Sequence, residues 1–193
     1  MNRQQRAAIR AREKRDSAFR TRRDTYDWIQ CLISALMISV IAFLFFIRII
    51  DVSGTSMYPT LLNGDKMLVS SLFYTPKAGD VVVFKKDEYD PEKALVKRII
   101  ATEGQSINID FDNGIVYVDG EPIEEDYIAE LTRNKIDFIG PQTVPDGCVF
   151  VMGDNRNASS DSRDERIGMV DAREIIGKVY YIIYPLDEFH KVE

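Results

Sequence analysis

Apolar residues are distributed along the chain in two different ways. From Trp28 to Ile47 they form one run without a charged side chain, broken only by Gln30, Ser34 and Ser39. A run of about 20 residues makes a helix of ~30 Å, the thickness of a bilayer's hydrocarbon core. Tyr26 and Trp28 suit one interface and a snorkelling Arg48 the other. Beyond Asp51 the pattern changes to short strand-like runs: KMLVSSLFY, DVVVFKK, ALVKRIIA, SINIDF, IVYVDG, CVFVMG and IIGKVYYIIYPL. Turn clusters separate them, among them NGD, TPKAGD, DNG, VDGEP and VPDG. Val, Ile, Tyr and Phe enrichment fits pleated surfaces. SINIDFDNGIVYVDG predicts a hairpin with Asn113-Gly114 at its tight turn. Past residue 50, helical character is expected only as a turn near Pro59–Leu62 and another near Asp171–Ile175. Residues 121–147 are polar and less regular, and predict a loop-rich excursion. The fold class expected is mainly β, with antiparallel folded or barrel-like sheets, preceded by a single transmembrane helix.

Charge divides the chain at the same place. The formal net charge is -6. Residues 1–27 nevertheless carry nine Arg or Lys against four acids, whereas 15 basic and 27 acidic side chains follow from Asp51 onward. By the positive-inside rule the basic arm stays in the cytoplasm and the acidic part lies outside. The organisation expected is a cytoplasmic arm over 1–27, a membrane anchor over 28–50 and an extracytoplasmic β domain over 51–193. The apolar run exceeds a cleaved signal's h-region, and no A-x-A site follows it. The arm reads as a solvated or anionic-lipid-touching tail, and nothing in it suggests nucleic-acid binding. Cys31 and Cys148 fall in different compartments, so no disulfide is expected between them. Two Cys and one His cannot build a closed zinc site, and no metal or other cofactor is expected.

The stretch DVSGTSMYPT (51–60) places Ser56 just outside the expected membrane. A serine hydroxyl is inert as a nucleophile until a base takes its proton. The single histidine, His190, lies near the end of the sequence, a poor place for the base of a Ser-His-Asp triad. H-E-x-x-H is absent, and no pattern singles out a pair of carboxylates. A lysine can serve if burial lowers its pKa. Most lysines here sit in polar company. Lys97 is flanked by Leu95, Val96, Ile99 and Ile100, and with period two it shares a face with Leu95 and Ile99. The alternative for Lys97 is a gatekeeper on an edge strand. A third stretch, MGDNRNASSDSR (152–163), reads either as a turn-rich loop or as a source of a hydroxyl and an Asp161–Arg163 pair.

Taken in order, the three stretches resemble the bacterial type I signal peptidases in their Gram-positive-like form. SGTSMYPTL (53–61) is similar to that family's nucleophile box, DVVVFK and LVKRIIA to the next boxes, and GDNRNASSDSR (153–163) to the last. IIATEGQ (99–105) departs from the V-G-L-P-G-D-like run usual there. The resemblance implies a serine–lysine endopeptidase that removes N-terminal signal peptides after small residues, at Ala-x-Ala-type sites. Ser56 would be the nucleophile and Lys97 the general base. Ser159 would orient the lysine, with Asp161 and Arg163 in support. Gly54, Thr55 and Met57 would belong to the oxyanion and substrate-binding loop, with the Ser56 N–H as a donor. Some members carry a serine two residues before the nucleophile, where this chain has Gly54.

The partners implied are signal peptides of preproteins, the bilayer and a neighbouring secretion translocon. Ser56 follows Arg48 by eight residues, a reach of at most ~28 Å, so the nucleophile is expected to work close to lipid. Met57, Tyr58, Leu61 and Leu62 are expected to rest on the membrane. Two rivals remain. Self-cleaving repressors share this type of β domain but carry soluble or DNA-binding N-terminal parts. An anchored binding or assembly module of the same fold would have lost activity.

Overall fold

The computed structural model describes residues 3–192. They form an N-terminal helix and a β-rich body beginning at Phe46. Helix α1 spans Arg3–Phe46, so the basic arm is helical from Arg3 onward. Its stretch Asp24–Phe43 has a mean hydropathy of 1.7 and is not buried against protein. Leu32, Leu36, Ile38 and Phe43 are all exposed there. Length, composition and uncovered apolar side chains suit this helix to crossing a bilayer.

The first strand starts earlier than the apolar pattern suggested. Ile47–Ile50, expected as the end of the anchor, belong to β1 (Ile47–Asp51). Isoleucines satisfy helix and strand patterns alike in so short a run, and here pairing decides. β1 runs antiparallel to β2 (Lys66–Ser70), with Ile47 opposite Ser70 and Asp51 opposite Lys66. The chain continues through β3 (Val81–Lys85), β4 (Ala94–Thr102), β5 (Ser106–Asp110) and β6 (Ile115–Val118). Short strands β7 (Glu121–Pro122) and β8 (Gln142–Thr143) border the excursion. β9 (Cys148–Met152), β10 (Val170–Asp171), β11 (Ile175–Tyr184) and β12 (His190–Lys191) complete the set. The larger sheet has the order β1-β2-β11-β3-β4-β9-β10, with β12 also on β11, and the smaller is β7-β6-β5-β8. Every pairing is antiparallel. The body is thus mainly β, as expected.

The burial of β3 explains its uninterrupted Val-Val-Val-Phe, since Val81–Phe84 are all buried in the middle of the sheet. Ile107, Ile109, Val116 and Val118 of the smaller sheet pack with Ile100, Phe150 and Met152 of the larger one. Phe138 and Val144 from the excursion complete that cluster, so the segment is irregular but anchored. The hairpin predicted from SINIDFDNGIVYVDG joins β5 to β6 through a four-residue loop, Phe111–Gly114. Asp110 shapes this loop by accepting the Asp112 and Asn113 N–H groups. Gly114 has φ +74, and a Cβ there would stand 2.6 Å from Leu131 Cβ.

Candidate active site

Ser56 sits on the loop joining β1 to β2. Val52 N donates to Asp65 O and Gly64 N to Val52 O, closing the loop at its base. Met57 and Leu61 fix it from below, buried beside Val52, Met67, Val69, Val81 and Val179. Each such side chain contributes roughly 1.5–3 kcal/mol on burial. Neither therefore rests on lipid. Of the four residues expected at the membrane, only Tyr58 and Leu62 are exposed. For Met57 and Leu61 the lipid expectation failed because a hydrophobic side chain looks alike in sequence whether it packs inward or outward. Ser56 itself is half-buried between them and the solvent.

Lys97 lies on β4, which is flanked by β3 and β9. It is therefore not an edge-strand gatekeeper. The register sets Lys97 opposite Val82, whose cluster includes Leu95 and Ile99. Lys97 is 3% exposed. Its Nζ lies 2.7 Å from Ser56 Oγ and 2.8 Å from the Val96 carbonyl oxygen. Burial pulls its pKa down from about 10.5 to about 8. The Asp161 and Asp154 carboxylates oppose this shift, while the Arg163 guanidinium reinforces it. A neutral amine is thus accessible near physiological pH, and it can accept the Ser56 hydroxyl proton.

The 153–163 loop braces Ser56 from the other side. Asn155 N donates to Ser56 O at 3.0 Å, and Asn155 Nδ2 donates to Thr55 O at 3.0 Å. Among the described residues, the Ser56 N–H has no acceptor, while Gly54 N donates to Asn63 Oδ1. Gly54 takes φ +101, a backbone conformation open chiefly to glycine. Asp161 and Arg163 form a fully buried two-pronged pair, Nε–Oδ1 and Nη2–Oδ2 both at 2.8 Å. Asp161 also accepts the Gly153 N–H, and Arg163 donates to the carbonyls of Arg156 and Asn134. Ser159 is buried nearby, and its Oγ has no hydrogen-bond partner among the described residues. No hydrogen bond joins it to Lys97 in this arrangement.

Several residues of this region escaped the sequence reading. Arg98, next to the lysine, is buried and grips Asp154 through Nε (2.9 Å) and Nη2 (2.8 Å). Asp154 also accepts from Thr60 Oγ1 at 2.5 Å, tying it to the loop that carries Ser56. Tyr127 lays its ring 4.0 Å from Arg98 Cζ. Gly153 separates Ser159 from the Ser56 carbonyl. No local pattern reports such contacts between distant segments. The one available signal was the density of Asp and Arg in 153–166, since buried charges need partners.

A hydroxyl facing a buried amine of lowered pKa, on an antiparallel β scaffold, is the arrangement of a serine–lysine hydrolase. Comparison with known proteins gives the family. The family model for "Signal peptidase, peptidase S26" matches residues 25–184. A probable signal peptidase I-1 of Synechocystis sp. is 37% identical over 166 residues, covering 81% of each chain. A signal peptidase I of Bacillus licheniformis is 31% identical, covering 87% of this chain and 93% of its own. A solved signal peptidase I of Enterococcus faecalis V583 is 27% identical, with TM-score 0.44, over 54% of this chain and 97% of its own. The chain belongs to the signal peptidase family, peptidase S26.

Proposed function

We propose that the chain is a membrane-bound serine endopeptidase that removes N-terminal signal peptides from secreted preproteins after small residues. Membership of the signal peptidase family supports the reaction. The 2.7 Å approach of Lys97 Nζ to Ser56 Oγ is the observation that carries the mechanism. Ser56 Oγ attacks the scissile carbonyl while neutral Lys97 takes its proton. The oxyanion meets the unengaged Ser56 N–H. Collapse of the tetrahedral intermediate breaks the C–N bond, and Lys97 returns the proton to the departing amine of the mature protein. Water then attacks the acyl-enzyme with Lys97 again as base, releasing the signal peptide and restoring Ser56. Ser159, buried and unpartnered, supplies a hydroxyl to orient the lysine once acylation has removed the Ser56 proton. Asp161 and Arg163 hold the loop that carries it.

The basic arm remains cytoplasmic and the β body works outside, as the charge asymmetry supports. The bilayer and the secretion translocon's exit are its surroundings, because an embedded signal peptide presents its cut site there. Ile49, Leu72 and Phe73, all exposed, are the apolar groups that reach lipid.

The test is cleavage of a preprotein with an Ala-x-Ala site in liposomes. Wild type cuts after the second Ala. Ser56→Ala and Lys97→Ala, folded by circular dichroism, each lose activity by about a thousandfold or more. Since the reactive form is the neutral amine, kcat/KM rises with pH and levels off above about 8. A Lys97→Ala enzyme that cuts like wild type would overturn the serine–lysine assignment.

A further inference from the structure

The dyad contact is not the only tie between the two segments that form it. Arg98 follows Lys97 on β4, and Thr60 lies four residues after Ser56. Asp154 joins them, accepting from Arg98 Nε and Nη2 and from Thr60 Oγ1. Its neighbour Asn155 holds the carbonyls of Ser56 and Thr55. The orientation of Arg98 therefore bears on where the nucleophile stands relative to the base. Arg98 Nη1 donates to Gly79 O at 2.8 Å, which fixes one corner of the guanidinium. The flat face is covered from the excursion, by the Tyr127 ring at 4.0 Å.

Tyr127 is itself held. Its ring lies 5.8 Å from Arg156 Cζ, on a second buried guanidinium. Arg156 Nη2 is 2.5 Å from Glu125 Oε1, close as an ion pair but without hydrogen-bond alignment. Arg156 Nη1 donates to Thr132 Oγ1, and Nε donates to Gly153 O. Glu125, Tyr127 and Thr132 thus strap three side chains across the guanidinium groups beneath the 153–163 loop. The Tyr127 hydroxyl is only a weak donor to Glu125, at 3.4 Å. The ring face, not the hydroxyl, makes the contact with Arg98.

We propose that Tyr127 is a positioning residue of the dyad: its ring holds Arg98 on Asp154 and so keeps the Thr60 end of the nucleophile loop in register with Lys97. This rests on the serine–lysine reading of the site. The groups facing Tyr127 are Arg98, Arg156, Glu125 and Asp154, and those acting on Lys97 are Asp161, Asp154 and Arg163. Release of Arg98 leaves the Asp154 carboxylate less neutralised and admits water. Both changes favour the Lys97 ammonium, so the base titrates higher.

Tyr127→Phe, Tyr127→Leu and Tyr127→Ala are compared with wild type and Ser56→Ala in two measurements. The first is cleavage of the Ala-x-Ala preprotein across pH. The second is competitive acetylation of Lys97 by acetic anhydride across pH, read by mass spectrometry, which needs no substrate. Tyr127→Phe should match wild type. Tyr127→Leu should lose kcat by about tenfold with KM nearly unchanged, the scale of one well-placed cation–π contact. Its kcat/KM limb and its Lys97 labelling midpoint should both move up by about half to one pH unit. If Tyr127→Ala does not fold, the Phe–Leu contrast still decides. The proposal is overturned if Leu matches wild type, if Phe is as impaired as Leu, or if only KM moves. Failure of wild type to cut, with the labelling shift intact, would overturn the function and leave the positioning role standing.

Discussion

At the scale of single residues, the site is tight enough that one methyl group decides its geometry. Gly153 follows β9, with its N–H on Asp161 and its carbonyl receiving Arg156 Nε. A Cβ there would lie 2.2 Å from Ser159 Oγ and 2.4 Å from the Ser56 carbonyl oxygen. The first can rotate away, but the second is backbone of the nucleophile loop and must move bodily. Gly153→Ala should therefore keep the fold and lose kcat by about a hundredfold, as displacement of reacting groups by ~1 Å does. Steady-state kinetics beside a thermal melt would check this, and an unchanged kcat would mean the loop is free to shift. Ser56 and Lys97 were legible as candidates through the three ordered stretches taken together, since alternation alone left Lys97 open as an edge-strand lysine. Gly153, Asp154 and Tyr127 were not, because each acts through contacts with segments distant in sequence. Arg98 shows the same limit. Its place beside Lys97 is plain in the chain, but only the fold reveals Asp154 as its partner, 56 residues on.

At the scale of elements, alternation and turn chemistry gave the strands well and their ends poorly. KMLVSSLFY reads as one strand, yet β2 stops at Ser70. Leu72 and Phe73 are left outside, and Phe73 is 97% exposed with φ +50. Ile47, the residue after α1, pairs with Ser70. The register thus brings the Leu72–Phe73 tip beside the place where the chain leaves its apolar helix. In the proposed membrane setting, that is the position from which an uncovered Leu-Phe pair would meet lipid. The double change Leu72→Ser and Phe73→Ser should slow cleavage of a preprotein embedded in liposomes by about three- to tenfold, given the apolar area removed. Cleavage of a short soluble peptide in detergent-free buffer should stay unchanged. Equal loss on both substrates would assign the tip to the domain's own stability. Residues 121–147 failed to declare themselves for a related reason. Their order comes from Phe138 and Val144 in the core and from side chains strapped over buried arginines, and neither has a period.

At the scale of the whole molecule, the β class and the apolar helix were readable from pattern, but the sheet order was not. β11 enters between β2 and β3, and that choice depends on long-range pairing rather than on any local signal. The larger sheet so assembled places an ionisable amine in its middle, and this has a thermodynamic consequence. Lys97 titrates near 8 in the folded protein against about 10.5 when exposed. Between these values the unfolded chain binds more protons than the folded one, so stability rises with pH across that window. Below about pH 8 both states are protonated, and the folded state carries the full cost of a buried ammonium, on the order of 3 kcal/mol. Lys97→Met shortens the side chain by one atom and removes the charge. It should abolish cleavage and raise the melting temperature, because active sites hold groups that the fold would otherwise exclude. The sign of the pH dependence separates this account from simple repacking. The stabilisation by Met should be largest at pH 6–7 and shrink steadily as pH climbs towards 10.5. Denaturant unfolding of both proteins across that range measures it, and a difference independent of pH would mean that Lys97 titrates alike in the folded and unfolded chain, without a burial shift.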